Sequence, residues 1–239
     1  MRYNTFALDC IWLWRYTCDM LTPAQLFESA LAPDELAALL DVEFPWEVLA
    51  RLDAFCSGLT DLRRGTVHPT AIVEGPLVVM EGAEVGPFSY LTGPVFLFPG
   101  AKIGHGAFLR GPVVLGPHAH VGHATEVKRS LLLGGAKAPH FNYVGDSVIG
   151  HDVNLGAGVK LANFKTFGDE IKVEGRGTGL RKFGAALGDG VSIGCNAVTA
   201  PGTVIGPRTI VYQGAAVRGV IEADSIVKFR PEITTAKRT

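Results

Sequence analysis

An aliphatic residue recurs at every sixth position between residues 85 and 133. The members of this row are Val85, Leu91, Leu97, Ile103, Leu109, Leu115, Val121, Val127 and Leu133, and glycine follows several of them. A period of six fits neither an amphipathic helix nor an alternating half-buried strand, and it is typical of a parallel β-helix. Each hexapeptide supplies a short strand and a turn, where glycine allows the sharp corner. The repeat therefore predicts a mainly β chain wound into stacked triangular coils.

The repeat divides the chain into three parts. We predict a mostly helical cap over residues 1–65, the β-helix over 66–228 and a tail over 229–239. The hydrophobic pattern disappears over residues 162–186, which are therefore expected to form a loop extruded from the coils. Loops of this length inside a regular scaffold are usually functional.

The residues before the repeat carry signals for helices. Thr22-Pro23-Ala24-Gln25 is a helical capping box with proline at the first helical position, which predicts helices in the N-terminal part. We expect these helices to cover the open first coil, since exposed strand edges are usually covered; a place beside the substrate or a partner is the alternative. The register is predicted to slip between Leu133 and Tyr143, where Ala138-Pro139-His140 replaces a regular corner.

Composition narrows the functional classes. Lys and Arg number 22 against 23 Asp and Glu, and this balance argues against a dedicated nucleic-acid binder. Charged residues are only 19% of the chain, which favours burial of some outer surface in an oligomer. The apolar run at residues 11–14 is far too short to span a membrane. The four cysteines (Cys10, Cys18, Cys56 and Cys195) show no zinc spacing and predict reduced thiols in a cytoplasmic protein.

His140 is the first candidate for acid–base chemistry. Glu126 and Lys128 precede it by less than one coil of about 18 residues, so all three are expected to lie close together. A carboxylate beside an imidazole fixes its tautomer and stabilises its protonated form, as proton abstraction requires. Arg110 lies one coil before Lys128, and two stacked cations suit a phosphate. An exposed turn histidine and solvated surface charges are the alternatives.

Two further groups of residues suggest other chemistry. His105 and His123 are one coil apart and are expected to line up on one edge, and trimeric β-helix carbonic anhydrases bind zinc through histidines shared across subunits. A third ligand at suitable spacing is not evident, so no metal site is predicted. The extruded loop carries basic residues beside glycines, a combination that can fold over a phosphate; a merely solvated loop is the alternative.

A longer motif runs from residue 110 to residue 183. Its parts are Arg110, Glu126-Val127-Lys128, His140-Phe141-Asn142-Tyr143-Val144-Gly145-Asp146, Asn154-Leu155-Gly156-Ala157-Gly158, Asn163-Phe164 and Lys182-Phe183. This motif resembles the acetyltransferase domain of the bifunctional glucosamine-1-phosphate acetyltransferase/N-acetylglucosamine-1-phosphate uridyltransferase, and related acyltransferase modules attached to sugar-nucleotide pyrophosphorylases. The resemblance covers residues 67–228 and implies a left-handed parallel β-helix, a homotrimer, acetyl-CoA as cosubstrate and active sites between subunits.

The resemblance also implies a role for each matching residue. His140 is implied to be the base that deprotonates the acceptor amine, with Glu126 orienting it. Arg110, Lys128 and Lys182 are implied to hold the sugar phosphate.

Sugar and cofactor contacts follow in the same way. Tyr143, Asn154 and Asn163 are implied to bind the sugar. Ala157 and the coil around Cys195-Asn196 are implied to line the acetyl-CoA cleft.

The chain departs from the family pattern at four points. Phe164 stands where the family has tyrosine, and Cys195 where it has serine. The loop between Asn163 and Lys182 is longer than usual. The N-terminal helical residues take the place of the pyrophosphorylase domain, so uridyl transfer is not expected.

These observations predict an acyl-CoA-dependent N-acyltransferase that acts on an amino-sugar phosphate or a nucleotide-linked amino sugar. The partners expected are the small-molecule acceptor, acyl-CoA and two further copies of the chain, with no nucleic acid and no membrane. A non-catalytic module that binds a sugar nucleotide or a partner protein is the first alternative. A metal-dependent hydratase is the second.

Overall fold

The computed structural model of this protein describes residues 20–230 and 234–238. Its centre is a left-handed parallel β-helix with short helices at its N-terminal side and one long extruded loop, as predicted. Each complete coil contributes one strand to each of three flat faces, which we call the first, second and third face. Predictions that concern Cys10, Cys18 and residues 11–14 lie outside the described residues.

The first face is a nine-stranded parallel sheet. Its strands are β2 (Thr66–Val67), β5 (Glu84–Val85), β8 (Lys102–Ile103), β10 (His120–His123), β12 (Lys137–His140), β15 (Asn154–Leu155), β20 (Ser192–Ile193), β23 (Ile210–Val211) and β26 (Ile226–Val227).

The second and third faces form one fifteen-stranded sheet, because β9 (Phe108–Leu115) and β11 (Glu126–Leu132) pass through the corner between them. The second face adds β3 (Ile72–Glu74), β6 (Tyr90–Thr92), β13 (Tyr143–Gly145), β16 (Lys160–Leu161), β21 (Val198–Thr199) and β24 (Ala216–Val217). The third face adds β1 (Leu62–Arg63), β4 (Leu77–Val79), β7 (Val95–Leu97), β14 (Val148–Ile149), β19 (Ala185–Leu187), β22 (Thr203–Ile205) and β25 (Val220–Ile221).

The interior of the coils is a column of stacked aliphatic side chains. On the second face, Leu109, Val127, Val144 and Leu161 follow one another on adjacent coils, and each is fully buried. Burial of one such side chain contributes about 1.5–3 kcal/mol. The column explains why the sixth-position rule is so strict along the sequence.

The register shift lies earlier in the chain than the sequence predicted. Leu132, and not Leu133, takes the inward position, since the pairing of β11 with β9 shifts between Lys128 and Ser130. The predicted slip after Leu133 is therefore wrong. Three consecutive leucines at 131–133 all satisfy a hydrophobic pattern, so the pattern alone does not tell which of them points inward.

The predicted irregular corner at residues 138–140 is also wrong. Ala138 occupies a regular inward position in β12, which pairs in register with β10. The coils are instead shortened at the corner between the second and third faces. Arg129 and Asp146 occupy this corner on successive coils, with φ of 42° and 46°. A positive φ is uncommon for residues other than glycine, and here it closes a corner that is one residue shorter than those before it.

Three α-helices precede the β-helix, namely α1 (Pro23–Leu26), α2 (Asp34–Leu40) and α3 (Val48–Ser57), with 3₁₀ turns at Ser29–Leu31 and Pro45–Glu47. At the start of α1, the backbone N–H of Thr22 donates to the side chain of Gln25 at 2.9 Å. The capping box predicted from the sequence therefore starts the first helix.

The helices pack on the third face. Leu49 and Leu52 of α3 share a buried cluster with Val114 and Leu131, which point outward from β9 and β11. The prediction that the helices cover the first coil is therefore wrong for the described residues, because β1, β2 and β3 of that coil remain exposed or half-buried. The reason is that the third face is apolar on its outer side as well as its inner side, and this second apolar layer requires a cover.

The extruded loop leaves the coils after β16 and returns to them at β19. It contains an antiparallel hairpin of β17 (Lys172–Val173) and β18 (Arg176–Gly177). Phe183 is fully buried near the end of the loop, with its ring centroid 6.3 Å from that of Trp46. The loop is therefore packed against the helices, and the coils resume at Ala185, earlier than the predicted end at residue 186.

Among the described residues, no helix has the length and apolar character needed to cross a membrane.

Replacing Phe183 by alanine tests whether this packing holds the loop in place. We expect Phe183→Ala to lower the free energy of unfolding by about 3–5 kcal/mol, because it leaves a cavity among buried side chains. Phe167 lies in the same loop but is 95% exposed, so Phe167→Ala should leave the free energy of unfolding almost unchanged. Chemical denaturation of both variants measures the difference, and equal effects would contradict the packing described here.

Candidate functional site

The outer side of the second face brings the predicted basic residues together. Parallel strands in register place residues of adjacent coils about 4.8 Å apart. Lys128 is aligned with Arg110 in this way, and Glu126 is aligned with Tyr143. Stacking of the coils, and not proximity along the chain, therefore assembles this wall.

Asp146 organises the wall at its edge. Its carboxylate is almost completely buried and accepts both a hydrogen bond from the side-chain amide of Asn163 and two from Nζ of Lys128, at 2.9 and 2.7 Å. Nη1 of Arg129 lies 3.7 Å from the same carboxylate. A buried carboxylate with these partners fixes Lys128 and Asn163 in one geometry.

A cavity of about 760 Å³ opens beside this wall. It is lined by Arg110, Lys128, Arg129, Tyr143, Asp146, Asn163, Phe164, Gly179, Leu180, Arg181 and Lys182. Five of these side chains are cationic and one is a carboxylate, so the positive charge is in excess. A concave surface with charges of one sign attracts ligands of the opposite sign. The cavity is therefore suited to an anion such as a phosphate group.

Tyr143 adds a neutral hydrogen-bond donor to the cationic wall of the cavity. Burial, followed by the negative charges of Glu126 and Asp146, raises the pKa of Tyr143. Its phenol therefore stays protonated and donates to Oδ1 of Asn163 at 3.3 Å. Glu126 is bound to Arg110, with Nη1 of Arg110 2.9 Å from Oε1 of Glu126.

His140 lies around the corner from the cavity, at the end of β12 on the first face. In the described part of the chain, no hydrogen bond joins it to Glu126, whose carboxylate binds Arg110 instead. The chain turns a corner at Phe141 and Asn142, so His140 and Tyr143 belong to different faces. Arg110, Glu126 and Lys128 thus share one wall, and His140 lies on another face.

The residues predicted to line a cofactor cleft are aligned with His140. The backbone N–H of Gly158 donates to the carbonyl of His140 at 3.0 Å, and that of Asn196 donates to the carbonyl of Ala157 at 2.8 Å. His140, Ala157 and Cys195 are therefore stacked on successive coils at one corner. Cys195 is exposed.

The same corner continues to the two histidines that the sequence placed on one edge. His123 is aligned with His140, and its ring is stacked on that of His105, with centroids 4.9 Å apart. Their Nδ1 atoms are 2.9 Å apart. Among residues 20–230 and 234–238, no group of three or more His, Cys, Asp or Glu side chains is arranged to hold a metal ion.

A second depression connects the cavity to this corner. It has a volume of about 540 Å³ and is lined by Ala124, Glu126, Phe141, Asn142, Tyr143, Lys160, Ala162, Asn163, Phe164 and Val198. Tyr143, Asn163 and Phe164 belong to both concavities. A ligand that lies across the second face can therefore extend from the cationic cavity to Phe141, which is next to His140, although His140 itself lines neither concavity.

Of the predicted sugar-binding residues, Asn154 stands apart. It is exposed on β15 of the first face, where it is aligned with Lys137, and it lines neither concavity.

Sequence reasoning gave no role to two residues of the cavity, Asp146 and Arg129. Asp146 stood inside the recognised motif but was given no role. Arg129 followed no repeat or motif, and only the folded corner brings it to the cavity. Arg181 belongs to the basic loop that the sequence linked to a phosphate, and it does line the cavity.

Removing Asp146 should damage both the wall and the fold. We expect Asp146→Ala to lower the free energy of unfolding by about 3–5 kcal/mol, because it leaves the half-buried cation of Lys128 without its carboxylate. Asp224→Ala is the control, since Asp224 pairs with Arg208 in full contact with water and should show no measurable change. Thermal and chemical unfolding measure both variants. A tolerated Asp146→Ala would mean that the carboxylate does not organise the wall.

Comparison with known proteins gives matches over most of the chain. The family model for the GMPPB C-terminal domain matches residues 91–178. The bifunctional protein GlmU of Methanococcus vannielii is 33% identical over 201 residues, which are 83% of this chain and 49% of that protein. The corresponding protein of Methanococcus maripaludis strain C7 is 41% identical over 202 residues, with the same coverage of 83% and 49%. The bifunctional sugar-1-phosphate nucleotidylyltransferase/acetyltransferase of Sulfurisphaera tokodaii is 45% identical over 95 residues, 38% of this chain and 24% of that protein.

The chain spans about half the length of the GlmU proteins that it matches. The family match includes Arg110, Lys128, Asp146 and Asn163, which line the cavity. The chain is thus similar over most of its length to bifunctional GlmU proteins, and the resemblance to a left-handed β-helix acetyltransferase module predicted from its sequence is confirmed.

Proposed function

We propose that this chain is an acyl-CoA-dependent N-acyltransferase, with acetyl-CoA as the cosubstrate. The acceptor is an amino-sugar phosphate or a nucleotide-linked amino sugar. The observation that carries the proposal is the cationic cavity beside a row of small and reactive side chains, His140, Ala157 and Cys195, on one adjoining corner. The Sulfurisphaera tokodaii relative is named as an acetyltransferase as well as a nucleotidylyltransferase, which agrees with this chemistry.

The phosphate of the acceptor binds in the cavity. Arg110 and Lys128 supply cations from adjacent coils, and Lys182 supplies a third from the loop. Arg and Lys side chains bind phosphate oxygens through charge-assisted hydrogen bonds. Tyr143 and Asn163, which line both concavities, bind the sugar between the phosphate and the corner.

The reaction takes place at the corner. The amine attacks the thioester carbonyl of acyl-CoA while His140 accepts its proton. A C–N bond forms and the C–S bond breaks, and His140 returns the proton to the departing CoA thiolate. Backbone N–H groups stabilise the oxyanion that forms on the carbonyl oxygen.

The cosubstrate lies along the corner formed by Ala157, Cys195 and Asn196, with neighbouring copies of the chain closing the groove in a homotrimer. Phe141 supports this assembly, because it is 54% exposed beside His140. A second copy at this corner also brings Asn154 of the first face towards an acceptor bound on its neighbour. Glu126 orients His140 in the loaded site after the acceptor phosphate has taken over its partner Arg110.

One observation favours a second candidate function. Glu126 is paired with Arg110 and not with His140, so in the part of the chain that the structure describes no hydrogen-bonded carboxylate orients the base before ligands bind. A module that binds a sugar nucleotide without transferring an acyl group requires the cavity but not this base. The two candidates therefore differ in whether His140 matters.

Turnover with acyl-CoA and a panel of amino-sugar phosphates and nucleotide-linked amino sugars tests the proposal. We expect His140→Ala to reduce kcat by about 10²–10⁴-fold, as loss of a general base does. His68→Ala is the matched control, since His68 lies on the first coil, bonded to Thr70, and it should leave turnover unchanged. A wild-type protein that binds the sugar nucleotide without turnover supports the binding module instead.

The position of the cosubstrate has its own test at Cys195. We expect a maleimide to label the exposed Cys195 of the native protein, and desulfo-CoA to slow that labelling at least several-fold. Cys56 is the internal control, because burial, with a smaller effect of Asp53, raises the pKa of its thiol to about 12, so it should stay unlabelled throughout. Peptide mapping by mass spectrometry separates the cysteines. Desulfo-CoA that binds by calorimetry and leaves Cys195 labelling unchanged contradicts this position.

A further inference from the structure

Arg129 occupies the shortened corner between the second and third faces. The corresponding corners of the preceding coils contain Gly93-Pro94 and Gly111-Pro112, which carry no charge. Arg129 therefore adds a guanidinium at a position where the two preceding coils have an uncharged turn. Its backbone has a φ of 42°, so its direction is set by the corner and not by the strand.

Helix α3 holds this guanidinium from the side of the helical part. Nε of Arg129 donates to Oδ1 of Asp53 at 3.1 Å, and Nη2 donates to Oδ2 at 2.5 Å. Such a bidentate pair fixes the plane of the guanidinium as well as its position. The two residues are 76 positions apart in the chain, so this contact joins the helices directly to the β-helix.

The remaining side of the guanidinium faces the cavity. Nη1 of Arg129 lies 3.7 Å from Oδ1 of Asp146, the carboxylate that also binds Lys128 and Asn163. Arg129 lines the cavity together with these residues. Its side chain is only 22% exposed, so it contributes more to the local electric field than a solvated surface arginine does.

The charges on this path alternate in sign. Asp53, Arg129, Asp146 and Lys128 follow one another from α3 to the floor of the cavity. The negative charge of Asp146 is compensated by Lys128 and Arg129. An incoming anion therefore meets Lys128 and Arg129 already fixed in place, and it has no entropy cost of ordering them.

We infer that Arg129 is an anion-contacting residue of the cavity and that Asp53 of α3 is its positioning residue, so that the N-terminal helices form part of the substrate site. This inference rests on the proposed function only in assigning the cavity to the phosphate of the acceptor. A diphosphate, which carries more charge than a monophosphate, uses Arg129 in addition to Arg110, Lys128 and Lys182.

Calorimetric titration of the full chain with inorganic pyrophosphate tests the inference without any need for turnover. We expect Arg129→Gln to weaken binding about ten-fold, because one charge-assisted contact is lost. Asp53→Asn should weaken binding several-fold, since Arg129 keeps its charge but loses its fixed plane. The double variant should bind no more weakly than Arg129→Gln alone, because Asp53 acts only through Arg129.

The control is Arg208→Gln, which breaks a bidentate arginine–aspartate pair of the same kind with Asp224. Both side chains of that pair are largely exposed, and neither lines the cavity. It should leave pyrophosphate binding unchanged. If Arg129→Gln does not fold, Arg129→Lys keeps the charge and should still bind several-fold more weakly, since lysine does not form the bidentate pair.

The possible outcomes separate this inference from the proposed function. Wild-type affinity in Arg129→Gln, or a lower melting temperature of Asp53→Asn with unchanged affinity, overturns it and leaves the pair a tether of α3. Absence of pyrophosphate binding by the wild-type protein overturns it as well. Pyrophosphate binding that depends on Arg129 and Asp53, in a protein without acyl transfer, supports it and rejects the transferase instead.

Discussion

Backbone hydrogen bonding between successive coils is the constraint on which the rest of this structure depends. Each strand of the coils pairs in parallel with its counterpart one coil away, so residues at the same outward position on successive coils lie about 4.8 Å apart. Residues far apart in the sequence are adjacent if they occupy the same rung of successive coils. Arg110 with Lys128, and His140 with Ala157, are neighbours for this reason alone.

The same constraint explains which expectations from the sequence were correct. The coil architecture, the aliphatic column and the alignment of Arg110 with Lys128 follow from counting residues, and they agree with the structure. The six-residue period predicted the wrong inward residue at positions 131–133, because three consecutive leucines satisfy the pattern equally well. The spacing also predicted Glu126 close to His140, but it does not show that a corner at residues 141–142 lies between their faces or that Glu126 binds Arg110. Arg129, Asp146 and Arg181 depend on tertiary packing of a corner and a loop, which no periodicity records.

Two layers of apolar packing, and not one, hold the molecule together. The inner column stabilises the coils, and the outer surface of the third face joins α3 to the loop through residues such as Leu131 and Phe183. The helices are therefore bound where they also approach the cavity. The Asp53–Arg129 pair joins α3 to the β-helix beside the cavity, next to the outer apolar layer.

The insertion point of the loop has a consequence for how such a protein diverges. The coils before and after residues 163–184 pair directly with each other, β14 with β19 and β16 with β21. The loop therefore does not interrupt the parallel pairing. Insertions and deletions in the exposed part of this segment, away from the buried Phe183, leave the stacking of the solenoid intact while they change the lining of the cavity. Natural selection can therefore vary the shape and charge of the cavity through the length and sequence of one segment, without the loss of stability that changes within the stacked strands would cause.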